Sequence, residues 1–362
     1  MGCNSSEDPE PLEVSTVPTE ISIVSETGFD VQIADINTST KQVLLTDHSE
    51  QFADARGRKY LDYTDEYVTY VYYEFPRIEL WRKNLSTDEE LSGIVHEITN
   101  AQYVFDAISD DQYAYLLVDE FIDQDRVKRS VVITNLSDMS IRREVSLTTT
   151  INNQFGSNYL KATEDGLLVY TTDYNNDVKL YKINTEDATK ADSITFEAYP
   201  IVLVNDGVIS EITNDNRVKK YRLADYAPIG IGNFAFNNIN AQSGFYENRI
   251  ENNRLVTDFS FAQPFPITSS PIEINVNDGE ILTEDLFYLV TLYESFEQER
   301  GFNISMTTFE VDVKRRVVII GYIGLQSISI GDVGGLIFAN FDGELLDFIE
   351  LPVIPTRIVL KD

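Results

Sequence analysis

The sequence has one cysteine, Cys3, and two histidines, His48 and His96. A single cysteine excludes a disulfide framework and every metal site built on cysteine clusters. Two histidines leave little from which to assemble a histidine-rich metal centre or a conventional Ser-His-Asp triad. Basic residues are scarce: 28 Lys and Arg stand against 60 Asp and Glu in 362 residues, a net charge of −32. Such a polyanion is repelled by phosphate backbones and by anionic lipid head groups, which argues against nucleic acid as a partner. No stretch reaches 18 consecutive apolar residues, so no transmembrane helix is expected. Gly-x-Ser-x-Gly, His-Glu-x-x-His and a phosphate-binding glycine loop are all missing. What is present is a 43% share of hydrophobic residues, enough to build a large core, so the chain reads as globular.

The scarcity of positive charge has a location. Residues 1–40 contain no Lys or Arg, but they contain Glu7, Asp8, Glu10, Glu13, Glu20, Glu26, Asp30 and Asp35. The polar, Pro-containing stretch that starts the chain buries too little apolar surface to offset its ordering entropy, so residues 1–19 read as a flexible, self-repelling tether. Three readings compete for Cys3: a bacterial lipid-attachment site, eukaryotic dual acylation on Met1-Gly2 with Ser6 and Cys3, and a free thiol. Gly2-Cys3 resembles the end of a lipobox. Ser5, Ser6, Glu7 and Asp8 resemble the short Ser-plus-acidic export signal of surface lipoproteins of the Bacteroidota. Dual-acylated cytosolic proteins often add basic residues that grip the inner leaflet, and this flank has the opposite sign. The resemblance therefore implies an outer-membrane, lipid-anchored protein facing the cell exterior. Asp192-Ser193-Ile194 is similar to the O-glycosylation acceptor of Bacteroidota envelope proteins, which makes Ser193 a candidate modification site. Asn84-Leu85-Ser86 and Asn135-Leu136-Ser137 read as turn chemistry.

From residue 20 onward the pattern is short apolar runs and alternation. Val68–Tyr73 is followed by Ile78–Leu85, Tyr113–Val118 by Val131–Leu136, and Gly166–Tyr170 by Val178–Ile183. Ile201–Val204 is followed by Val218–Leu223, Leu286–Val290 by Met306–Val311, and Gly335–Ala339 by Leu345–Ile349. The second strands begin near residues 79, 131, 178, 218, 306 and 345; counting the long gap as two steps gives a mean spacing of about 44. This resembles a β-propeller, an all-β fold of seven blades over residues 20–362, with no signature of a particular repeat family. An eighth blade would follow if the strands of residues 21–46 stood alone; the alternative is that they complete the last blade and close the ring. A β-sandwich or β-helix is the competing architecture.

Residues 226–275 break the rhythm and are rich in aromatics and asparagine. Loops on a rigid scaffold are where binding concentrates, so Phe234, Phe236, Phe245, Tyr246, Phe261 and Phe265 are the candidate partner contacts. The alternative is an ordinary blade with long loops. The tyrosines of residues 60–73 would either stack on sugars or pack between blades. Asp173-Tyr174-Asn175-Asn176-Asp177 offers oxygen ligands to calcium, but it lacks the EF-hand spacing and reads equally as a hairpin turn. No cofactor or metal is expected beyond a lipid on Cys3. Basic clusters at 126–129, 142–143 and 314–316 are expected to pair with the acidic surface. No carboxylate pair singles out a reaction. The expected role is therefore non-enzymatic: a protein-binding or scaffold subunit of an outer-membrane complex for transport or protein biogenesis. Cell-surface glycan binding or processing is the alternative.

Overall fold

Strands buried on both faces explain why the apolar runs are nearly continuous: β1 (Glu20–Thr27) sends Ile21 and Ile23 to one side and Val24 to the other. A computed structural model describes residues 15–28, 30–53, 55, 57–61, 67–151, 160–163, 166–173, 175, 177–196, 199–213, 215–235, 244–245, 250–261, 267, 269–325 and 333–361. After β1 come β2 (Asp30–Asn37) and β3 (Gln42–Asp47), then β4 (Arg58–Leu61), β5 (Tyr67–Glu74), β6 (Arg77–Asn84) and β7 (Glu90–Glu97). The third sheet holds β8 (Gln102–Ser109), β9 (Tyr113–Phe121), β10 (Arg126–Asn135) and β11 (Ile141–Ile151), and the fourth β12 (Leu160–Thr163), β13 (Gly166–Thr172), β14 (Val178–Asn184) and β15 (Thr189–Phe196). The fifth runs β16 (Ile201–Asn205), β17 (Val208–Ile212), β18 (Arg217–Arg222), β19 (Pro228–Asn233), with β20 (Gly244–Phe245) added beside β16. β21 (Ile250–Glu251), β22 (Arg254–Ser260) and β23 (Ser269–Asn275) form the sixth, and helix α1 (Tyr288–Arg300) follows. The seventh holds β24 (Asn303–Asp312), β25 (Val317–Leu325), β26 (Val333–Asn340) and β27 (Leu345–Leu351), and β28 (Arg357–Leu360) returns to pair with β1.

These seven sheets are the blades of a β-propeller. Six clusters of buried apolar side chains fill all seven junctions between neighbouring blades, and the one built on Ile21, Ile23, Val317, Ile319, Ile358 and Leu360 joins blade 7 to blade 1. Blade 1 is therefore composite: its inner strand is β28 and its outer three are β1, β2 and β3. Residues 20–47 close the ring and form no eighth blade.

The blade count was legible, but two spacing anchors were not. The strands near 306 and 345 are β24 and β27, the first and fourth of one blade. The stretch 226–275 holds the outer strand of blade 5, β20, and the three strands of blade 6. Leu286–Val290, read as a strand, is the approach and first turn of α1. Tyr288, Leu292 and Phe296 are buried at four-residue spacing, as are Leu289 and Tyr293, and Gly301 ends the helix at φ +73° with its N–H on the Glu297 carbonyl. The helix packs between blades 6 and 7, with Phe296 edge-on to Tyr322 and Phe348.

Six blades share a device at the end of their third strand. Asn37, Asn84, Asn135, Asn184, Asn275 and Asn340 each end that strand. Each accepts, through Oδ1, one or two backbone N–H groups of the turn that follows, at 2.8–3.1 Å in the bonds to Thr40, Ser86, Ser137, Glu186, Asn277 and Asp342. Asparagine suits this place because its short carbonyl reaches the chain two or three residues on.

Candidate interaction faces

All inner strands run the same way through the ring. The turns between first and second strands, and between third and fourth, therefore open on one face; the second-to-third turns and the connections between blades open on the other.

The first face carries two polar grooves. One, of about 770 Å³, lies between blades 2 and 3; the other, of about 730 Å³, lies between blades 3 and 4, and they share Asp111 and Gln112. The turn asparagines Asn84, Asn135 and Asn184 line them. In the first groove Arg82 is buried. Its Nε donates to Thr69 Oγ1 at 3.1 Å, its Nη2 donates to the Asp110 carbonyl at 2.8 Å, and its guanidinium lies 4.6 Å from the Tyr67 ring. Burial lowers the Arg82 pKa, opposed by Tyr67, Asp111 and Asp110. Glu89, Glu90 and Asp111 stand around it, so the groove suits polar or cationic groups at its rim and one anionic group at its floor. Gly166, at φ +130° beside the second groove, has no room for a Cβ against the Ile183 carbonyl.

The second face is different. Phe75, Phe121, Ile122, Tyr199 and Leu325 are exposed and all lie at its turns or connections. Ile122 is 50% exposed and Leu325 56%. Toward the groove face, Ile281 and Leu282 are exposed in the segment that follows β23.

The candidate contacts of residues 226–275 fall elsewhere. Phe234 is buried at the junction of blades 5 and 6, its ring over Gly279, and Phe261 is buried against Phe259 and Phe287. Neither ring is available to a partner, because blade 6 supplies the surface that covers it. Phe245 lies on β20, on the inner side of β16. Phe236, Tyr246 and Phe265 lie outside the described residues, as do Cys3, Ser5, Ser6, Glu7 and Asp8. Ser193 is exposed on the outer strand β15. Tyr70 and Tyr72 are buried between blades 1 and 2, so the sugar-stacking reading loses those rings.

His48 packs on Trp81 at 5.0 Å, with Nδ1 3.6 Å from Glu90 Oε1, on the blade 1 side of blade 2. His96 faces the other side, opposite Ile78. They lie on opposite faces of blade 2 and so do not form a couple, and burial lowers the pKa of each. Asp173 has both oxygens engaged: Oδ1 accepts the N–H groups of Asn175 and Asp177, and Oδ2 meets Lys179 Nζ at 2.7 Å. The ammonium sits where a cation would have to bind.

Two of the basic residues expected at the surface are structural. Arg129 is buried in an ion pair with Asp119, and Arg316 reaches the buried Glu273 at 2.8 Å from the neighbouring blade. Arg126 and Lys128 do pair at the surface, with Asp123 and Glu144.

Asp258 on β22 stands apart: burial alone pushes its carboxyl from the ordinary 3.8 up to about 6. A folded pKa above the unfolded one means the folded chain binds the proton more tightly. That contribution is full below about pH 4 and is lost as the pH rises through about 6. Asp258→Asn is expected to stabilise the protein at pH 7.5 by roughly 1–2 kcal/mol after allowance for solvent screening. Urea titrations should show this advantage shrinking toward pH 4; a gain independent of pH would contradict it.

No family model matches the chain, and no curated protein matches it. Solved structures do: 798 chains are similar, which marks a widely used architecture that carries no activity by itself. A candidate 6-phosphogluconolactonase from Bacteroides fragilis is 11% identical with a TM-score of 0.51, over 96% of this chain and 99% of that one. A prolyl endopeptidase is 12% identical with a TM-score of 0.46 over 90% of this chain, which spans 44% of that protein's length. BamB from Moraxella catarrhalis is 8% identical with a TM-score of 0.41, over 92% of this chain and 99% of that one. The first of these likenesses supports the propeller fold, and the other two carry no further argument.

Proposed function

We propose that this chain is a lipid-anchored display scaffold of the bacterial outer membrane. In this reading Cys3 carries the lipid, residues 1–19 are the tether, and the 20–362 propeller presents one face to a protein subunit of an outer-membrane complex for transport or protein biogenesis. The observation that supports it is the sidedness of the ring. Ser15–Thr19 lie against the groove face: Ser15 Oγ donates to the Arg316 carbonyl at 3.4 Å, and Thr38 Oγ1 donates to the Pro18 carbonyl. Exposed Phe75, Phe121, Ile122, Tyr199 and Leu325 lie at turns and connections of the opposite face. A tether that leaves by one face turns the other away from the membrane, and exposed aromatics on a rigid rim are the anchors that protein interfaces use.

The test has two parts. Intact mass of the full-length precursor, extracted from its native membrane, should show diacylglycerol and acyl additions on Cys3, and would also show a glycan on Ser193. An unmodified Cys3 removes the anchor. Mild-detergent purification should then recover a stoichiometric partner, and the exposed triple variant Phe75→Asp, Phe121→Asp, Ile122→Asp should lose it, with affinity reduced about thirtyfold or more. A propeller that purifies alone, or a partner indifferent to the triple variant, defeats the scaffold reading.

A further inference from the structure

The outer strands of the blades are edges, and most carry charge. β7 has Glu90 and Glu97, β11 has Arg143 and Glu144, β15 has Lys190, β27 has Asp347 and Glu350, and β3 ends in Asp47. Such charges block unwanted strand pairing. β19 has none. Its sequence is Pro-Ile-Gly-Ile-Gly-Asn and every residue is exposed, with Ile231 at 81%. Its irregular pairing is confined to the Pro228 end, and nothing lies near the positions a Cβ would take on Gly230 or Gly232.

We propose that β19 is an open docking edge, to which an extended acidic segment of a partner protein adds as one more strand of blade 5. The neighbouring strand supplies the reason for acidity. Four of the six residues of β18 are basic, in a chain of net charge −32. Arg217 and Arg222 are paired with Asp215 and Asp225, but Lys220 Nζ is held by the neutral amide of Asn277 at 3.2 Å, a bond that leaves its charge uncompensated. Lys220 lies directly opposite Gly230, so the two share a sheet face. An incoming strand would run two strand spacings from β18, about 9.6 Å. With no side chain on Gly230 in the way, a glutamate on that strand and Lys220 can meet over the glycine. On the other face an apolar side chain of the incoming strand would cover Ile231.

A second copy of this chain fits less well. It would bring its own basic row toward this one, and a six-residue edge falls far short of the roughly 1,000 Å² of a stable interface. A single added strand needs no such area, because main-chain hydrogen bonds hold it. This proposal deepens the scaffold reading, since it names a way of holding a partner. It requires neither the lipid nor the apolar face.

The test uses the full chain and a fluorescein-labelled ten-residue peptide of alternating Val and Glu, followed by anisotropy. The peptide should bind, and the same peptide with Lys in place of Glu should bind at least about tenfold more weakly. I231E, at an exposed position, and Lys220→Glu should each weaken binding by about tenfold while the melting temperature stays unchanged. Hydrogen exchange should show new protection confined to β19. No binding at millimolar peptide, equal binding of the two peptides, or indifference to I231E overturns the proposal. So does a concentration-dependent dimer that I231E dissolves, because the edge would then belong to a second copy. A failure of Cys3 lipidation, or of the triple variant on the apolar face, leaves this result untouched, so the two readings fail separately.

Discussion

A chain ending at Pro355 is expected to lose its cooperative thermal transition. The missing strand, β28, is the inner strand of blade 1, and it lies between two junctions of the ring. Ile358 and Leu360 pack toward blade 7 and Val359 toward blade 2, all three buried. Burying such side chains contributes about 1.5–3 kcal/mol each, so the loss of three removes roughly 4.5–9 kcal/mol. That is comparable to the entire stability of an ordinary domain, about 5–15 kcal/mol. The strand is also latched at its other end: the Thr356 N–H donates to the Val24 carbonyl at 2.9 Å, and Thr356 Oγ1 accepts the Glu26 N–H at 3.1 Å. Without β28, β1 becomes an open inner edge and blades 7 and 2 lose the inner strand of their common neighbour. A chain ending at Leu360 is the control. It loses only Lys361 and Asp362, and with them one half-buried ion pair, Lys361–Asp35 at 2.6 Å, while every strand of the ring stays intact. Near-ultraviolet circular dichroism and thermal melting distinguish the two. A shorter chain that melts cooperatively within a few degrees of the full one would mean that the other six junctions hold the ring without closure.

Why the ring was readable, and its closure only partly so, follows from strand position. The second and third strands of a blade are long and buried on both faces, so pairs such as β5–β6, β9–β10 and β13–β14 stand out as apolar runs split by a polar turn. Four of the seven inner strands are short: β4, β12 and β28 have four residues and β21 has two. No alternation can be read from so few positions. β24, an inner strand of ten residues, and β27 are by contrast long enough to be read, and each looked like the marker of its own blade. The turn asparagines at 37, 84, 135, 184, 275 and 340 were the better repeat marker, because they report a hydrogen-bonding need and not a hydrophobic average. Helix α1 escaped because five residues from Leu286 cannot tell a buried helix from a strand; the spacing shows only when read on to Phe296. Site residues were harder still. Phe75 and Phe234 both lie beside turns. Phe75 is exposed and Phe234 buried because of what another blade sets opposite, here Gly279. The buried ion pair, in contrast, had a signal. Arg129 shares its parity with Val131 and Ile133, and Asp119 shares its parity with Tyr115 and Leu117, so both charges fall on the apolar face of adjacent strands.

That ion pair carries the second large expectation: Asp119→Ala should destabilise the protein by about 3–5 kcal/mol, the usual result of stranding a buried charge. Asp119 and Arg129 stand directly opposite each other on β9 and β10, and their side chains are 0% and 1% exposed. Arg129 Nε donates to Oδ1 at 2.7 Å and Nη2 to Oδ2 at 2.6 Å, a two-bond fork that lysine could not make. The third arm, Nη1, donates across the junction to Thr171 Oγ1 on blade 4 at 2.7 Å, and the Phe105 ring lies 4.3 Å from the guanidinium. Tyr103 donates its hydroxyl to Asp119 Oδ2 at 3.1 Å. Removing the carboxylate leaves a cation that water cannot reach and that the low-dielectric interior penalises. The double variant Asp119→Leu with Arg129→Met separates this cause from lost packing. If the stranded charge is the cost, the double variant should recover most of the loss, because apolar side chains of similar volume commonly replace a buried pair with little penalty. Urea unfolding with unchanged m-values measures both. A single-variant cost under about 1 kcal/mol, or a double variant no better than the single, would show that the pair is dispensable. Blade 3 also carries Phe121 and Ile122 on one face and Asp110 and Asp111 on the other. The clamp at its centre therefore holds both surfaces in place, and Asp119→Ala should weaken partner capture even where the chain remains folded.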